Sequence, residues 1–209
     1  MDEMLKKCLV AADVHQIQNV MGRYEYYHVS NLQEETVSLF SKREDVKVEI
    51  ANLGIYDGQA GLKRFFLGAN LKHTDPHVAG NMFLHTLTTP VIEVAGDGKT
   101  AQGVWFSPGI ESSPERGDEW CWVKYGIDFI QENGTWKIWH FRMYHIFKCP
   151  PTKGPSEAEP KSRVAMSPEI APDRSNAEEW IFSKTAVFEN VPEPPIPYET
   201  WDDERAYIK

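Results

Sequence analysis

The sequence predicts an α+β fold in which three N-terminal helices pack on a strongly curved, mixed or antiparallel sheet. Apolar residues recur at helical spacing in the first third of the chain, and long runs with strand-like alternation follow them. Helices first and strands afterwards are typical of the α+β class. Helices on the concave side of such a sheet would enclose an apolar pocket, so the two layers should form a cone.

The clearest element is a long hairpin between Glu119 and Phe147. Both arms carry aromatic and β-branched residues, and they meet at Glu132-Asn133-Gly134. Asn-Gly favours a type I′ turn, because both central residues of that turn adopt positive φ. Arms of about a dozen residues are longer than the usual five or six. We therefore expect a long, strongly bent sheet.

The first helix is predicted from Asp13 to about Ser30. Asp13-Val14-His15-Gln16 resembles a capping box, which marks the start of a helix. Apolar residues follow at three- and four-residue spacing, so Tyr24 and His28 should share one face of this helix.

Two short helices and a short strand should follow. Asn31-Leu32-Gln33-Glu34 resembles a second capping box, and residues 59–67 carry a third helical pattern. Residues 46–50 alternate between apolar and charged side chains, as in a half-buried strand. The glycines that bound Gly54-Ile55-Tyr56-Asp57-Gly58 favour a turn.

Two further long strands should precede the hairpin, over residues 81–94 and from 100 to about 111. Pro108 has no backbone N–H for the ladder, so we expect a bulge or a mouth loop there. Glu111 would then be an acid at the rim of the pocket.

The character of the chain changes after Phe147. Ten of its fourteen prolines lie at or beyond Pro150. Even so, the last sixty residues include Trp180, Phe182, Phe188, Tyr198, Trp201 and Tyr207, which a purely solvated linker would not need. We expect a cone domain over residues 1–149 and an extended tail over 150–209, which packs on the domain or on a neighbouring subunit.

The composition of the chain argues against several classes of function. A net charge of −9 argues against a nucleic-acid partner, which would require a basic face. Three cysteines without a CxxC motif favour reduced thiols in a cytoplasmic protein. The acidic N-terminus and the lack of an 18-residue apolar run indicate neither a signal peptide nor a membrane span.

A metal site is not expected. His73, Asp75 and His77 are close in sequence, but Pro76 forbids the regular helix that would aim both imidazoles at one ion. GxSxG, Walker and GxGxxG motifs are absent from the sequence, which disfavours an acyl-hydrolase elbow, phosphate chemistry and dinucleotide binding. We expect no cofactor.

Several stretches together resemble a known family. They are Arg23-Tyr24, Gly54-Ile55-Tyr56-Asp57-Gly58, Leu84-His85-Thr86, Gly103-Val104-Trp105 and Asn133-Gly134-Thr135-Trp136-Lys137-Ile138. Their order resembles the SnoaL-like branch of the nuclear-transport-factor-2-like superfamily, which includes scytalone dehydratase and bile-acid 7α-dehydratase. The resemblance covers about the first 150 residues. It implies a cone-shaped α+β fold, and the fold itself hosts lyases, isomerases, hydrolases and non-catalytic binders.

The resemblance suggests catalytic residues. The helix tyrosine of the dehydratases corresponds to Tyr24 or its neighbour, and their strand histidine corresponds to His85. The acid that ends the family's first helix has no acidic counterpart here, and His28 is the best substitute. The family's first-strand tyrosine falls near Ile50, so Tyr56 or Glu49 would replace it.

A lyase of the dehydratase or isomerase type follows from this set. It would act on an aromatic, polycyclic or steroid-like molecule, with His85 as the base and Tyr24 and Tyr56 as donors to a developing oxyanion. His28 could orient a partner or serve as the base itself. Each of these side chains could instead be a hydrogen-bonded part of the core.

Further side chains are expected to bind the substrate. Arg142 could hold an anionic oxygen, and the other expected contacts are Glu49, Ile50, Trp105, Trp120, Trp122 and Tyr144. The three tryptophans form either an aromatic wall or subunit-interface anchors. Strict alternation puts Arg142 on one face of the last strand with Trp136, and Phe141 on the other. Alternation alone does not decide which face lines the pocket.

Two aromatic faces on one strand favour a homo-oligomer, a trimer or a dimer. The competing function is a non-catalytic binding protein that holds a hydrophobic molecule in the same cone. A hydrolase or an oxygenase-like member would need a carboxylate pair or a ligand cluster, which the sequence does not show.

Overall fold

The structure is a computed structural model that describes residues 3–70, 75, 77–158, 166–176 and 181–209. Its elements are, in chain order, α1 (Glu3–Val29), α2 (Gln33–Ser38), β1 (Lys47–Ile50), β2 (Gly54–Asp57), α3 (Gly58–Lys63), a π-helix (Arg64–Asn70), β3 (Met82–His85), β4 (Thr88–Val94), β5 (Thr100–Ser113), β6 (Gly117–Glu132) and β7 (Thr135–Cys149). Within the described residues, no helix combines the length and the apolar character that crossing a membrane requires.

Helix α1 begins ten residues earlier than predicted. Residues 3–12 contain neither proline nor glycine, so nothing in them stops the helix before Glu3. The predicted capping box at Asp13 is therefore wrong. The Asp13 carboxylate accepts a hydrogen bond from Trp136 Nε1 at 2.8 Å, which ties α1 to β7.

Asn31 ends α1 and does not cap α2. Its φ of 57° is left-handed, and the Leu32 N–H donates to the Tyr27 carbonyl at 2.8 Å. This bond joins residues that are five positions apart, as in a Schellman-type helix end. Helix α2 starts at Gln33 without a side-chain cap, so the second capping box is also wrong.

The predicted hairpin is confirmed as β6 and β7. Asn133 and Gly134 have φ of 51° and 76°, as a type I′ turn requires. The seven strands form one sheet in the order β2-β1-β7-β6-β5-β3, and β4 also pairs with β5. The β1–β7 pair is parallel and the others are antiparallel, so the sheet is the mixed one of the two predicted alternatives.

Two register shifts decide which side chains face the helices. The β6–β7 ladder shifts at Trp122/Val123 and at Asp128/Phe129, and such bulges bend the strands. The second shift leaves Trp139 without an opposite residue. Trp136 therefore shares the helix-covered face with Phe141, and both belong to the core. Strict alternation, which placed Trp136 with Arg142, fails for this reason. We call the helix-covered face the inner face and the other the outer face.

The predicted strand over residues 81–94 is split into β3 and β4. Strand β5 runs without a break or a bulge through Pro108, so the expected bulge or mouth loop is wrong. The Pro108 carbonyl accepts from the Thr86 N–H at 3.1 Å, between the segments that pair with β4 and β3. Because a strand residue directs its N–H and C=O to the same side, the missing N–H falls in this gap and costs no ladder bond.

The predicted turn at residues 54–58 is instead β2, an edge strand paired with β1. The third predicted helix, over 59–67, consists of α3 and the π-helix.

The described parts of the tail pack on the chain itself. Arg174 forms a two-point contact with the Asp57 carboxylate at 2.7 and 2.8 Å. On the outer face, the Tyr207 N–H donates to Asp128 Oδ2 at 3.1 Å, and the Tyr207 carbonyl accepts from Arg142 at 2.9 Å. Trp180 lies outside the described residues. The division of the chain at residue 149 remains a prediction.

Ile208, near the end of the tail, should contribute measurably to stability because only 1% of it is exposed. We expect Ile208→Ala to lower the free energy of unfolding by about 2 to 5 kcal/mol. Ile196→Ala is the matched control, since Ile196 is 67% exposed and should change it by less than about 0.5 kcal/mol. Urea unfolding measures both. Equal effects would contradict tail docking.

Candidate active site

Tyr24 and His28 lie on the inner side of α1, as their spacing predicted. Their rings stack at 5.5 Å with an interplanar angle of 9°. The Tyr24 ring also meets Tyr125 of β6 edge to face at 6.2 Å. Burial raises the pKa of both tyrosines, so both hydroxyls keep their protons and can donate.

His28 is a neutral imidazole. The Asn70 amide nitrogen at the end of the π-helix lies 3.1 Å from His28 Nδ1. Because an amide N–H only donates, Nδ1 accepts and Nε2 carries the proton. Burial, with His85 as a second cause, lowers the pKa of His28 to about 3. His28 can therefore donate a hydrogen bond at neutral pH but does not carry a charge.

His85 projects from β3 toward His28, and the two ring centroids are 6.4 Å apart. Its Nδ1 is buried and has no hydrogen-bond partner among the described residues. Burial lowers the pKa of His85 below its ordinary value, so the ring is neutral at pH 7. A side chain at Gly109 would put its Cβ 2.5 Å from His85 Nδ1, so the ring occupies space that glycine leaves open.

Glu111 lies beside His85 and is not a solvated rim acid. Its side chain is 13% exposed, with Oε1 3.6 Å from His85 Nε2 and 2.8 Å from Lys148 Nζ. Burial acts to raise the pKa of Glu111, but the Lys148 ammonium outweighs it and the pKa falls to about 2. Glu111 is therefore ionised.

Glu25 is a buried carboxyl that the sequence reading missed. It is 7% exposed, and neither carboxyl oxygen has a hydrogen-bond partner among the described residues. Burial raises the pKa of Glu25 to about 7. The first helix therefore does carry an acid, one residue after Tyr24. The available signal was its position four residues after Met21, on the same apolar stripe.

Three further predicted residues lie on the inner face. Ile50 of β1 and Trp105 of β5 belong to the same buried cluster as Tyr24. Tyr56 is fully buried, and its hydroxyl donates to the Ile170 carbonyl of the tail at 3.0 Å. Burial raises the pKa of Tyr56 to about 12. The Tyr56 hydroxyl proton is therefore used in a hydrogen bond to the tail in this structure.

The remaining predicted residues lie on the outer face, because they alternate with inner-face neighbours. Arg142 Nε is 3.2 Å from Glu49 Oε2, and its guanidinium lies 4.4 Å from the centre of the Tyr144 ring. Trp120 and Trp122 line an outer groove of about 390 Å³. The sheet separates these five side chains from His85.

The outer groove is mainly apolar, but we place the candidate site on the inner face. The groove is lined mainly by aromatic rings and prolines, with Cys149 and Lys153 as its polar members. The inner face gathers tyrosine, histidine and carboxyl groups whose pKa values burial has shifted, which is the usual sign of a catalytic site.

The predicted loop with two histidines is described only in part, because His73 and Pro76 lie outside the described residues. The His77 N–H donates to Asp75 Oδ1 at 2.9 Å. Within the described part of the chain, no three histidine, cysteine or acidic side chains are grouped in a way that could hold a metal ion.

Glu25 should make stability depend on pH. A carboxyl whose pKa rises from 4.5 to about 7 on folding destabilises the folded state as the pH rises through that interval. The effect is about 3 kcal/mol when complete. We therefore expect Glu25→Gln to change the free energy of unfolding in the stabilising direction at pH 8 relative to pH 4.5. Urea unfolding at the two pH values measures this difference. The exposed Glu35→Gln should show no such difference, and a pH-independent Glu25→Gln would contradict the burial argument.

Comparison with solved structures shows the fold. A hexachlorocyclohexane dehydrochlorinase, LinA-type3, from Novosphingobium barchaimii superposes with a TM-score of 0.58 at 13% identity, over 71% of this chain and 94% of that chain. A candidate scytalone dehydratase from Novosphingobium aromaticivorans has a TM-score of 0.57 at 19% identity, over 66% and 87%. An NTF2-like protein with a cystatin-like fold from the same organism has a TM-score of 0.52 at 15% identity, over 67% and 86%.

The family itself follows from the sequence. A search of curated proteins finds no significant match. The model of the SnoaL-like domain matches residues 10–142, which is more than half of the chain. The chain therefore belongs to the SnoaL-like family.

Proposed function

We propose that this chain is a cofactor-independent lyase, of dehydratase or isomerase type, that acts on an aromatic, polycyclic or steroid-like small molecule. One observation carries the proposal. His85 has a buried nitrogen without a partner among the described residues, beside the stacked pair of Tyr24 and His28. A neutral imidazole close to neutral hydrogen-bond donors is what proton abstraction and oxyanion stabilisation require.

His85 acts as the general base in this proposal. The low pKa of the ring keeps it deprotonated at neutral pH, so it can take a proton from a carbon next to a carbonyl or phenol. The negative charge that develops on the substrate oxygen is met by the Tyr24 hydroxyl and by His28 Nε2–H. Both donors are neutral, which suits a neutral substrate that gains charge only in the transition state.

Glu25 supplies the acid. With a pKa of about 7, it is half protonated at neutral pH and can give its proton to a departing hydroxyl or to the product carbon. Ile50 and Trp105 provide apolar contacts for a flat ring. Names of similarly folded proteins agree with an elimination, since one is a dehydrochlorinase and one a candidate dehydratase.

A non-catalytic binding protein is the alternative, and one observation favours it. The outer groove is wide and apolar, and Trp120 on its wall is 46% exposed. Such a groove could hold a hydrophobic molecule without any chemistry.

We also propose a cytoplasmic homo-oligomer, a dimer or a trimer. The first turns of α1 expose Met4, Leu5 and Leu9 at 66%, 51% and 47%, and large exposed apolar side chains on one helix favour a protein contact. The tail covers part of the outer sheet face, so the contact need not use that face.

The catalytic roles predict the effect of single substitutions. With a panel of phenolic and steroid-like ketones and alcohols, we expect turnover or proton exchange that falls about 100-fold or more in His85→Ala. Tyr24→Phe should lose about 100- to 1000-fold, because it removes one oxyanion donor. The exposed residues His77 and Tyr26 provide the matched controls His77→Ala and Tyr26→Phe, which should keep the full rate. Binding without turnover, or full rate in His85→Ala, would favour the binding protein.

The same roles predict a bell-shaped dependence of rate on pH. The acid limb should lie below pH 6.5, because His85 must be deprotonated and its pKa is lowered. The alkaline limb should lie near pH 7, because Glu25 must be protonated. Glu25→Gln should lower the rate and remove the alkaline limb from a profile of kcat/KM. An unchanged alkaline limb in that variant would show that Glu25 is not the acid.

A further inference from the structure

A cluster of charged side chains surrounds Glu111 on the inner face. Its members come from three neighbouring strands. Glu111 of β5 is opposite Glu119 of β6, and Cys121 of β6 is opposite Lys148 of β7. The cluster reaches the candidate base, because Glu111 Oε1 lies 3.6 Å from His85 Nε2.

The central ion pair is largely removed from water. The side chains of Glu111 and Lys148 are 13% and 16% exposed, and their charged atoms are 2.8 Å apart. Burying two charges costs several kcal/mol per ion, and an apolar pair of similar volume is often at least as stable. Stability alone therefore gives little reason for this pair, whereas its position beside His85 gives a functional one.

We propose that Glu111 and Lys148 are positioning residues that fix His85 as the Nε2–H tautomer and leave Nδ1 as the reactive lone pair. The inference rests on the proposed role of His85 as the base. The reason for the tautomer is chemical. An ionised carboxylate only accepts hydrogen bonds, so the nitrogen that faces it is the one that carries hydrogen. The other nitrogen, Nδ1, is the one that is buried without a partner among the described residues.

Lys148 has a second effect, which is to balance the carboxylate. Glu111 alone would favour the imidazolium form of His85, and a base that is already protonated is inactive. Lys148 acts in the opposite direction on the His85 pKa, so the ring stays neutral until it takes a proton from the substrate. Once it has done so, the neighbouring Glu111 carboxylate stabilises the new positive charge, as the carboxylate of a catalytic triad does.

Other titratable and charged groups face His85, Glu111 and Lys148 from the elements packed around them. His28 of α1 faces His85 and is neutral. Cys121 lies beside the pair, and burial raises the pKa of its thiol to about 12, so it is also neutral. Glu119 favours the charged form of Lys148, and Arg116 in the β5–β6 turn favours the charged form of Glu111.

Nitrogen NMR of histidine-labelled protein tests the proposal without a substrate. The His85 signals are those that disappear in His85→Ala. In the wild type, we expect Nδ1 in the unprotonated range and Nε2 in the protonated range. Glu111→Gln should mix the tautomers and lower the His85 pKa. Lys148→Met should raise that pKa by about one unit or more, because the carboxylate loses its counter-charge.

Control substitutions distinguish a specific effect on the His85 tautomer and pKa from a general disturbance of the structure. Lys137 lies on the same strand as Lys148, and Glu93 lies on β4, so Lys137→Met and Glu93→Gln should leave the His85 signals unchanged. If Glu111→Gln does not fold, the His85 pKa in Lys148→Met can be compared with that in Lys148→Arg, which keeps the positive charge. This comparison still tests the proposal. An Nδ1–H tautomer in the wild type, or a His85 pKa that Lys148→Met leaves unchanged, would overturn the proposal. These spectra do not depend on turnover. A failure of the lyase proposal would therefore appear in the turnover assays and not in the spectra.

Discussion

The β6–β7 ladder shifts register at two places, and the faces on which the side chains of β7 lie depend on these shifts. Between the shifts, alternate residues point to opposite faces of the sheet. Phe141 therefore packs against α1 while its neighbour Arg142 faces outward to Glu49 and the tail. Without the shift at Asp128, Trp136 would be on the outer face and could not bond to Asp13. The position of α1, and with it Tyr24, Glu25 and His28, is fixed by this geometry.

Burial then sets the chemistry of the inner face. His28 and His85 are kept neutral, the tyrosines keep their protons, and Glu25 is brought near a pKa of 7. The charged exceptions are Glu111 and Lys148, which pair with each other next to His85. An inner face with neutral donors and one neutral base is suited to a neutral molecule that becomes negative during reaction. A carboxylate or a phosphate ester would need a free positive charge, and the Lys148 ammonium is already paired with Glu111.

The sequence predicted the hairpin and the shared face of Tyr24 and His28 correctly, because their signals are local. Asn133-Gly134 specifies its own turn, and the spacing of Tyr24 and His28 specifies a shared helix face. It failed where a tertiary contact decided the outcome. Asp13 forms a hydrogen bond across to Trp136 in place of a cap, and the gap beside β5 accommodates Pro108. Glu25 was not predicted because the family resemblance points to an acid at the end of the first helix. Glu49, Arg142 and Tyr144 could not be assigned to a face because the bulges have no sequence signal.

The most direct test of this account is a crystal structure of the chain with a bound naphthol, which is neutral, flat and phenolic. We predict that the ring lies on the inner face, with its oxygen about 3 Å from the Tyr24 hydroxyl or from His85 Nδ1. That position would place the substrate analogue between the proposed base and donor. A naphthol bound in the outer groove beside Trp120, with the inner face unchanged, would contradict the account and favour a binding protein.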